Sequence, residues 1–323
     1  MYRIGVDLGG TKISAAVTDG EYNIIGKLSC PTNAKREPDQ ITLDIARLCK
    51  ETAKSAGLLP EDIKSIGIGT PGAVDSKRGI VEYSCNLPYL SYPLADKLRQ
   101  MTGVSDIYVE NDANAAALGE AVAGASKGSS SSVMITLGTG IGGGVVLGGR
   151  LLTGNNGAAG ELGHMVIEKG GIQCPCGRKG CFEAYCSATA LVKMTKERLR
   201  KLKENKTPSL MLDMCQNEPE NANTRTAFDA SKQGDEQACK LIDEYIGYLA
   251  CGITNIINIF QPEVVTIGGG LSGEGDYLLR PLLPIVEKDQ YTRTYKNKAK
   301  IKIATLKNNA GLIGAAALGE LGI

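Results

Sequence analysis

The sequence predicts an α/β fold made of two similar halves with a cleft between them. Each half opens with strands joined by a glycine-rich turn and continues with helices and strands in alternation. A serine-rich polar stretch at 126–132 marks the boundary between the halves. Because alternation alone is common to α/β proteins, the glycine-rich turns carry the case for a duplication. Two α/β halves side by side form a cleft, which is a frequent place for ligands.

In the first half, short apolar runs separated by glycine turns predict three strands. A helical period follows, with apolar side chains on one face, and strands and helices then alternate. The predicted order is strands 3–8, 12–18 and 24–30, helix 40–57, strand 65–69, helix 93–101, strand 107–110 and an Ala-rich helix 113–125.

The same pattern restarts after the polar stretch. Apolar residues from Leu241 to Ile257 recur at helical spacing and predict one long helix. The predicted order is strands 132–137, 142–149 and 150–152, helices 187–204, 226–232 and 235–260, strand 263–270 and a final Ala-rich helix 308–321.

Composition argues against several classes of function. The formal net charge is +1 and Trp is absent, so nothing favours binding to nucleic acid or to an anionic membrane. No apolar run reaches the roughly 18 residues of a membrane span, and the N-terminus lacks a signal-peptide pattern. The 10 cysteines are scattered, which is typical of reduced thiols. We therefore expect a cytoplasmic protein.

The only histidine, His164, precedes a close set of cysteines in the run GELGHMVIEKGGIQCPCGRKGC. With Cys174, Cys176 and Cys181 it makes a Cys₃His set, which suits a structural tetrahedral Zn²⁺ site. The glycines of this run supply the bends that let close cysteines converge. A core histidine without a ligand role is the alternative, and the spacing to the cysteines disfavours it.

Three glycine-rich turns each follow an apolar strand directly. Glycine lets backbone N–H groups approach phosphate oxygens, and Thr hydroxyls add donors. Asp7, at the end of the first strand, is placed to hold Mg²⁺ through water. One such turn is ordinary in a hairpin, but three favour phosphate binding. The turns are Gly9-Gly10-Thr11-Lys12, Gly138-Thr139-Gly140 and Gly268-Gly269-Gly270.

Other nucleotide and hydrolase motifs do not fit. No P-loop is present, and the GxGxxG match that begins at Gly138 leads into a strand, whereas dinucleotide binding needs a helix there. A Ser/His/Asp triad or a cysteine nucleophile would require His164, which the cysteines occupy. A glycosidase pair of Glu161 and Glu183 would leave the glycine turns unexplained.

The acceptor chemistry centres on Asn111 and Asp112, where strand 107–110 runs into a helix. A carboxylate there suits a general base for a hydroxyl that attacks a γ-phosphate. It suits a helix cap equally well, and both readings stay open. Glu161, His164 and Glu183 offer donors and acceptors to a polyol, although the two acids are equally compatible with a solvated surface.

The motifs GVDLGGTK, END, GELGH and CPCGRKGC with a following Glu resemble the ROK family of bacterial sugar kinases and repressors. The resemblance covers essentially the whole chain. It implies an actin-like (ribonuclease H-like) ATPase fold with a sugar cleft between two lobes. The final helix is expected to return to the first lobe, which gives an N-terminal lobe of 1–125 plus 305–323 and a C-terminal lobe of 126–304.

The resemblance also implies roles for individual residues. Asn111 and Asp112 match the sugar-binding Asn and the catalytic base, and His164 with the three cysteines matches a structural zinc site. The remaining matches are a sugar pocket of Pro71, Gly72, Asn86, Glu161, His164 and Glu183, a first phosphate loop of Asp7, Gly9, Gly10, Thr11 and Lys12, a second of Thr139 and Gly140, and an adenosine turn of Gly268, Gly269 and Gly270.

The activity that the resemblance favours is ATP-dependent phosphorylation of a hexose, most like a bacterial glucokinase, with Mg²⁺ on the phosphates. Kinases for N-acetylmannosamine, N-acetylglucosamine, allose or fructose are alternatives within the family. A repressor would carry a helix-turn-helix before the first phosphate loop, for which this N-terminus leaves no room. A non-catalytic sugar-sensing protein is a third hypothesis, which intact Asp7 and Asp112 disfavour. The family pattern also implies a homo-oligomer, either dimer or tetramer.

Overall fold

The computed structural model describes residues 1–322, with side chains through Glu320. The first half contains one five-stranded sheet, one small three-stranded sheet and three helices. In chain order they are β1 (Tyr2–Leu8), β2 (Lys12–Thr18), β3 (Ile24–Pro31), α1 (Pro38–Ser55), β4 (Ile63–Thr70), β5 (Ala73–Asp75), β6 (Ile80–Tyr83), β7 (Leu90–Tyr92), α2 (Leu94–Thr102), β8 (Ile107–Asn111) and α3 (Asp112–Ala123).

The second half contains another five-stranded sheet and most of the helices. The elements are β9 (Ser131–Leu137), β10 (Ile141–Leu147), β11 (Arg150–Leu151), α4 (Glu183–Cys186), α5 (Ala188–Glu204), α6 (Leu210–Met214), α7 (Thr226–Lys232), α8 (Glu236–Phe260), β12 (Val264–Gly268), α9 (Asp276–Asp289), β13 (Lys300–Ile303), α10 (Ala310–Ala317) and a π-helical turn (Leu318–Gly322).

The two large sheets have the same topology. Their strand orders are β3-β2-β1-β4-β8 and β11-β10-β9-β12-β13. In each sheet the first three strands of this order pair in antiparallel fashion, and the last two strands run parallel to the central strand, which is β1 or β9. The predicted α/β architecture of two similar halves is confirmed by this strand-by-strand correspondence.

The last helix, α10, packs against the first sheet although it follows the second in the chain. It lies on β1, β4 and α3, and the contact is close because glycines face the helix backbone. A Cβ on Gly5 would overlap the carbonyl of Leu312, and one on Gly67 would overlap that of Ala315. The helix therefore returns to the first half, while the exact domain limits stay a prediction.

The chain crosses between the halves at 124–130 and again at 304–309. The carboxylate of Glu120 on α3 is completely buried and binds both crossings. It accepts hydrogen bonds from the N–H groups of Ala125 at 2.7 Å, Thr305 at 3.2 Å and Leu306 at 2.8 Å. The two crossings are thus tied to one buried side chain of the first half.

Most predicted elements are present with bounds shifted by a few residues, but several were missed. Strands β5, β6 and β7 have only three or four residues each, too few for a clear alternating pattern. Helix α9 contains Pro281 and Pro284, which normally interrupt a helix. The final helix is shorter than predicted, because its α-helical part ends at Ala317. Within the described residues, no helix has the length and apolarity to cross a membrane.

Candidate active site between the two halves

A cavity of about 850 Å³ lies between the two large sheets and receives residues from both halves. Eleven of the residues predicted from the sequence line it. They are Asp7, Asp112, Gly138, Thr139, Gly140, Glu161, His164, Glu183, Gly268, Gly269 and Gly270.

The first glycine turn, Gly9 to Lys12, has its carbonyl groups tied back to the protein. Thr32 donates its hydroxyl to the Gly9 carbonyl at 2.6 Å and its N–H to the Thr11 carbonyl at 3.0 Å. The N–H of Gly9 donates to the Lys12 carbonyl at 3.0 Å. In the described part of the chain, this leaves the N–H groups of the turn centre as the donors available to an anion.

The second glycine turn, Gly138 to Gly140, is arranged in the same way by different partners. The N-terminus of α5 donates to its carbonyls, from the Ala188 N–H at 2.8 Å and the Thr189 hydroxyl at 2.7 Å. Glu183 accepts from the Ile141 N–H at 2.9 Å, next to the turn. With its carbonyls occupied, this turn also offers N–H groups to the cavity.

The third turn follows β12 and forms another part of the cavity wall. Gly269 has a φ of +84° and lies against the backbone of Leu137, where a side chain would not fit. The sequence did not identify the neighbouring wall, which includes Ser272, Lys307 and Gly311. The run NNAG at the start of the Ala-rich helix could have indicated Gly311 as a residue of this wall, because it is another glycine-containing turn.

Two carboxylates from the first half face the cavity. Burial raises the pKa of Asp7 above its ordinary value, and the charge of Asp112 adds to this, while Lys12 and Lys27 oppose it. Asp112 is open to the cleft but enclosed by both halves, and this desolvation raises its pKa against the lowering effect of the Ala113 N–H. A carboxylate with a raised pKa accepts a proton more readily.

The helix cap of α3 is Asn111 and not Asp112. The side-chain oxygen of Asn111 accepts from the N–H groups of Ala113 at 2.9 Å and Asn114 at 3.3 Å. Its amide nitrogen donates to the Gly72 carbonyl at 3.1 Å. Capping by the neighbour makes a cap role for Asp112 unnecessary, although Ala113 N–H also lies 2.8 Å from its carboxylate. Asn111 itself is engaged mainly within the first half.

Several residues predicted for the site are not among those that line the cavity. They lie in the first half beside it: a Cβ on Gly10 would lie 3.5 Å from the Cβ of Asn86, and the Gly72 carbonyl accepts a hydrogen bond from Asn111. A side chain at Gly10 would meet Asn86, so the first glycine turn and this asparagine are neighbours. The residues of this group are Gly9, Gly10, Thr11, Lys12, Pro71, Gly72, Asn86 and Asn111.

The predicted metal ligands come together at the edge of the cavity. The ligand atoms of His164, Cys174, Cys176 and Cys181 all lie within 4.8 Å of one another. Nδ1 of His164 is 3.7 Å from Sγ of Cys174, and the sulfurs of Cys176 and Cys181 are 3.6 Å apart. A tetrahedral site with Zn–S bonds of about 2.3 Å has sulfur–sulfur edges of roughly 3.8 Å, so the donors fit Zn²⁺.

The cluster is connected to the cavity, and its three thiols differ in how readily they ionise. The N–H of Arg178 lowers the pKa of the Cys176 thiol, whereas desolvation raises the pKa of the Cys174 and Cys181 thiols. A bound metal ion would favour the thiolate form of all three. Glu183 lies between the cluster and the second glycine turn, since one oxygen is 3.9 Å from Cys174 Sγ and the other binds Ile141. The sequence predicted Glu183 in the site but gave no sign of this contact.

Comparisons with known proteins agree with this architecture. The glucokinase of Thermotoga maritima is 39% identical over 316 residues, which cover 98% of this chain and 96% of that protein. The crystal structure of a ROK family glucokinase from Streptomyces griseus, in complex with glucose and AMPPNP, is 35% identical with a TM-score of 0.78 and covers 98% of this chain and 99% of that one.

A second solved structure, the ROK hexokinase from Thermus thermophilus, is 34% identical with a TM-score of 0.80 and covers 98% of this chain and 97% of that one. The fold is the actin-like ATPase fold that the sequence resemblance implied. The family profile described as ROK family matches residues 3–320. The chain belongs to the ROK family.

Proposed function

We propose that this protein transfers the γ-phosphoryl group of ATP to a hexose, and that the hexose is D-glucose with its 6-hydroxyl as acceptor. One observation carries the proposal: Asp112 of the first half faces the same cavity as the two glycine turns of the second half and as Glu161 and His164. The cavity therefore combines a proton acceptor, anion-binding turns and polar groups for a polyol. The similarity to glucokinases, including one solved with glucose and AMPPNP, supports glucose as the acceptor.

Asp112 is the general base in this proposal. It takes the proton of the acceptor hydroxyl as the oxygen attacks the γ-phosphorus, and its raised pKa suits this role. The turns at Gly9–Lys12 and Thr139–Gly140 bind phosphate oxygens through their N–H groups. Mg²⁺ bound to ATP neutralises phosphate charge, and Asp7 would hold it through water. The turn at Gly268–Gly270 contacts the adenosine.

The acceptor side uses residues of both halves. Glu161, His164 and Glu183 come from the second half, and the first half supplies Asn111 with Pro71, Gly72 and Asn86. Glu183 and Asn111 already hold Ile141 and Gly72, so they shape the pocket as well as offer polar atoms to the sugar. Closure of the halves about the crossings would exclude water, which otherwise competes as the acceptor.

The cysteine cluster holds a structural Zn²⁺ in this proposal. Nδ1 of His164 faces the sulfurs, which leaves the other ring nitrogen for the sugar side, since His164 lines the cavity. The ion would fix the segment that carries His164 and Glu183.

All 10 cysteines are unpaired thiols, which supports a reducing, cytoplasmic location. We also retain the expectation of a homo-oligomer, and the lobe limits 1–125 plus 305–323 and 126–304.

The test is release of ADP from MgATP with D-glucose, N-acetylmannosamine, N-acetylglucosamine, allose and fructose. We expect kcat/KM for glucose to exceed the others by about tenfold or more, a difference of about 1.4 kcal/mol in transition-state binding. Preference for another sugar would replace glucose and keep the mechanism. Absence of turnover with every sugar, alongside sugar-induced thermal stabilisation, would favour a sugar-sensing protein instead.

A further inference from the structure

The loop that leads to Glu161 rests on the opposite half of the molecule. This acceptor loop (residues 153–160) belongs to the second half and follows β11. It is closed on itself by a hydrogen bond from the Ala159 N–H to the Thr153 carbonyl at 3.1 Å. Its next residue, Glu161, lines the cavity. The position of the loop therefore decides where that carboxylate stands.

The contact across the cleft is made at Gly157. This residue has a φ of +77°, and a Cβ here would overlap the carbonyl oxygen of Val74. Val74 lies in the middle of β5, has no exposed surface and belongs to the core of the first half. The partner is thus a fixed backbone group and not a flexible side chain that would move aside. Only glycine allows this approach.

A second contact lies three residues along the loop. A Cβ on Gly160 would come within 3.5 Å of the side-chain oxygen of Asn114, on α3 of the first half. That oxygen is buried and has no hydrogen-bond partner among the described residues, while the amide nitrogen donates to Glu110 at 3.0 Å. Gly160 thus passes close to α3 of the first half.

Val74 also lies beside the acceptor residues of the first half. It follows Gly72 by two positions, and Gly72 receives the hydrogen bond from Asn111. Ser76, the residue after the same strand, donates to Glu110 at 2.6 Å, and Glu110 also accepts from the N–H of Asn111 at 2.8 Å. The junction thus connects Glu161 of one half to the segment of Asn111 and Asp112 in the other.

We propose that Gly157 is a positioning residue for the sugar: its contact with Val74 completes closure on the acceptor side and sets Glu161 against Asp112. The inference rests on the proposed hexose kinase activity. A side chain at position 157 would hold the acceptor loop away from β5 and leave the nucleotide side of the cavity, formed by the turns at Gly138 and Gly268, unchanged.

The chain offers a matched control for the strain that a side chain suffers at positive φ. Gly149 has a φ of +76° and nothing within 4 Å of the position of a Cβ, so G149A adds the same strain without a contact. Gly154 has a φ of +75° and would meet only Ala159 of its own loop, at 2.9 Å. G154A therefore separates disturbance within the loop from disturbance of the contact with Val74.

The experiment compares G157A with G149A and G154A. We expect G157A to raise KM for glucose about tenfold or more, with KM for MgATP changed less than about twofold. The same variant should lose glucose-induced thermal stabilisation, a readout that needs no turnover. G149A should keep both properties, and G154A should change them less than G157A does. If G157A folds poorly, the pair G157N and G149N replaces it, because Asn tolerates positive φ and still adds bulk.

Two results would overturn the inference. One is a G157A enzyme whose KM for glucose matches that of G149A. The other is an equal rise of both KM values, which would indicate a general disturbance of the fold. Neither result affects the proposed function, which fails only if the wild-type protein phosphorylates no hexose.

Discussion

The two halves share a backbone plan but not the chemistry that it carries. In both, the central strand and its antiparallel neighbour meet through a glycine turn, with Leu8 paired to Ile13 in one half and Leu137 to Ile141 in the other. The residue before that leucine faces the cavity in both halves. It is Asp7 in the first and Thr136 in the second.

The difference between Asp7 and Thr136 shows that both halves can bind anions through their turns, while acidic groups beside the turn belong to the first half. The turns of both halves present N–H groups because their carbonyls are occupied, by Thr32 in one and by α5 in the other. Beside its turn the first half adds the carboxylates Asp7 and Asp112, both with raised pKa values, whereas the second-half carboxylates Glu161 and Glu183 lie on the acceptor side. Thr136 instead keeps a neutral hydroxyl that accepts from the Gly142 N–H at 3.2 Å. The duplicated fold thus supplies two similar turns for anion binding, and in the first half two carboxylates lie beside them.

The largest effect is expected from substitution of Asp112, the proposed general base. D112N should lower kcat by about 10²–10⁴-fold, because the amide keeps the shape but cannot accept the proton. Sugar binding, measured by thermal shift with glucose, should be nearly unchanged. A kcat close to that of the wild type would contradict the assignment of Asp112 as base.

A smaller effect is expected at the cysteine cluster, which has no counterpart in the first half of the described chain. C176S should lose the bound zinc, about one ion per chain in the wild type, and lower Tm by roughly 5–10 °C, because a ligand is missing from a structural site. KM for glucose should rise, since His164 and Glu183 lose their support. Metal content by atomic emission and Tm by calorimetry give the readouts.

C251S is the matched control for this variant, because Cys251 is exposed and lies outside the cluster. It should retain the zinc and the wild-type Tm. A wild-type protein purified without metal and with full activity would show that the cluster does not need an ion.

Local sequence patterns predicted the glycine turns and the clustering of His164 with three cysteines, because each lies within a short segment whose geometry depends on spacing. The run from His164 to Cys181 did assemble as one cluster. Asp112 did reach the cavity, because a helix begins where β8 ends. The sequence left open whether Asp112 caps the helix or acts as a base. In the structure the cap is Asn111.

Features that depend on contacts between distant segments were not predictable in this way. Glu120 binds two crossings that are 180 residues apart in the chain, from Ala125 to Thr305. Lys307 joins the cavity only because α10 returns to the first sheet. The contact of Gly157 with Val74 involves a strand of three residues, too short to recognise by periodicity. Each of these requires the tertiary arrangement.

The smallest effect is expected at the two equivalent positions, Asp7 and Thr136, and it is measured as thermal stability without ligands. Desolvation raises the pKa of Asp7, so the folded state loses stability as the pH rises from the unfolded pKa through the raised one, and the loss is complete above it. D7N should therefore raise Tm by about 1–3 °C at pH 7, and this gain should shrink as the pH falls through the raised pKa towards the unfolded value. T136V should lower Tm by a similar amount at every pH, because it loses a neutral hydrogen bond. Calorimetry of both variants from pH 4 to pH 8 measures the two changes in Tm. If the change caused by T136V varied with pH as the change caused by D7N does, the distinction between Asp7 and Thr136 would be removed.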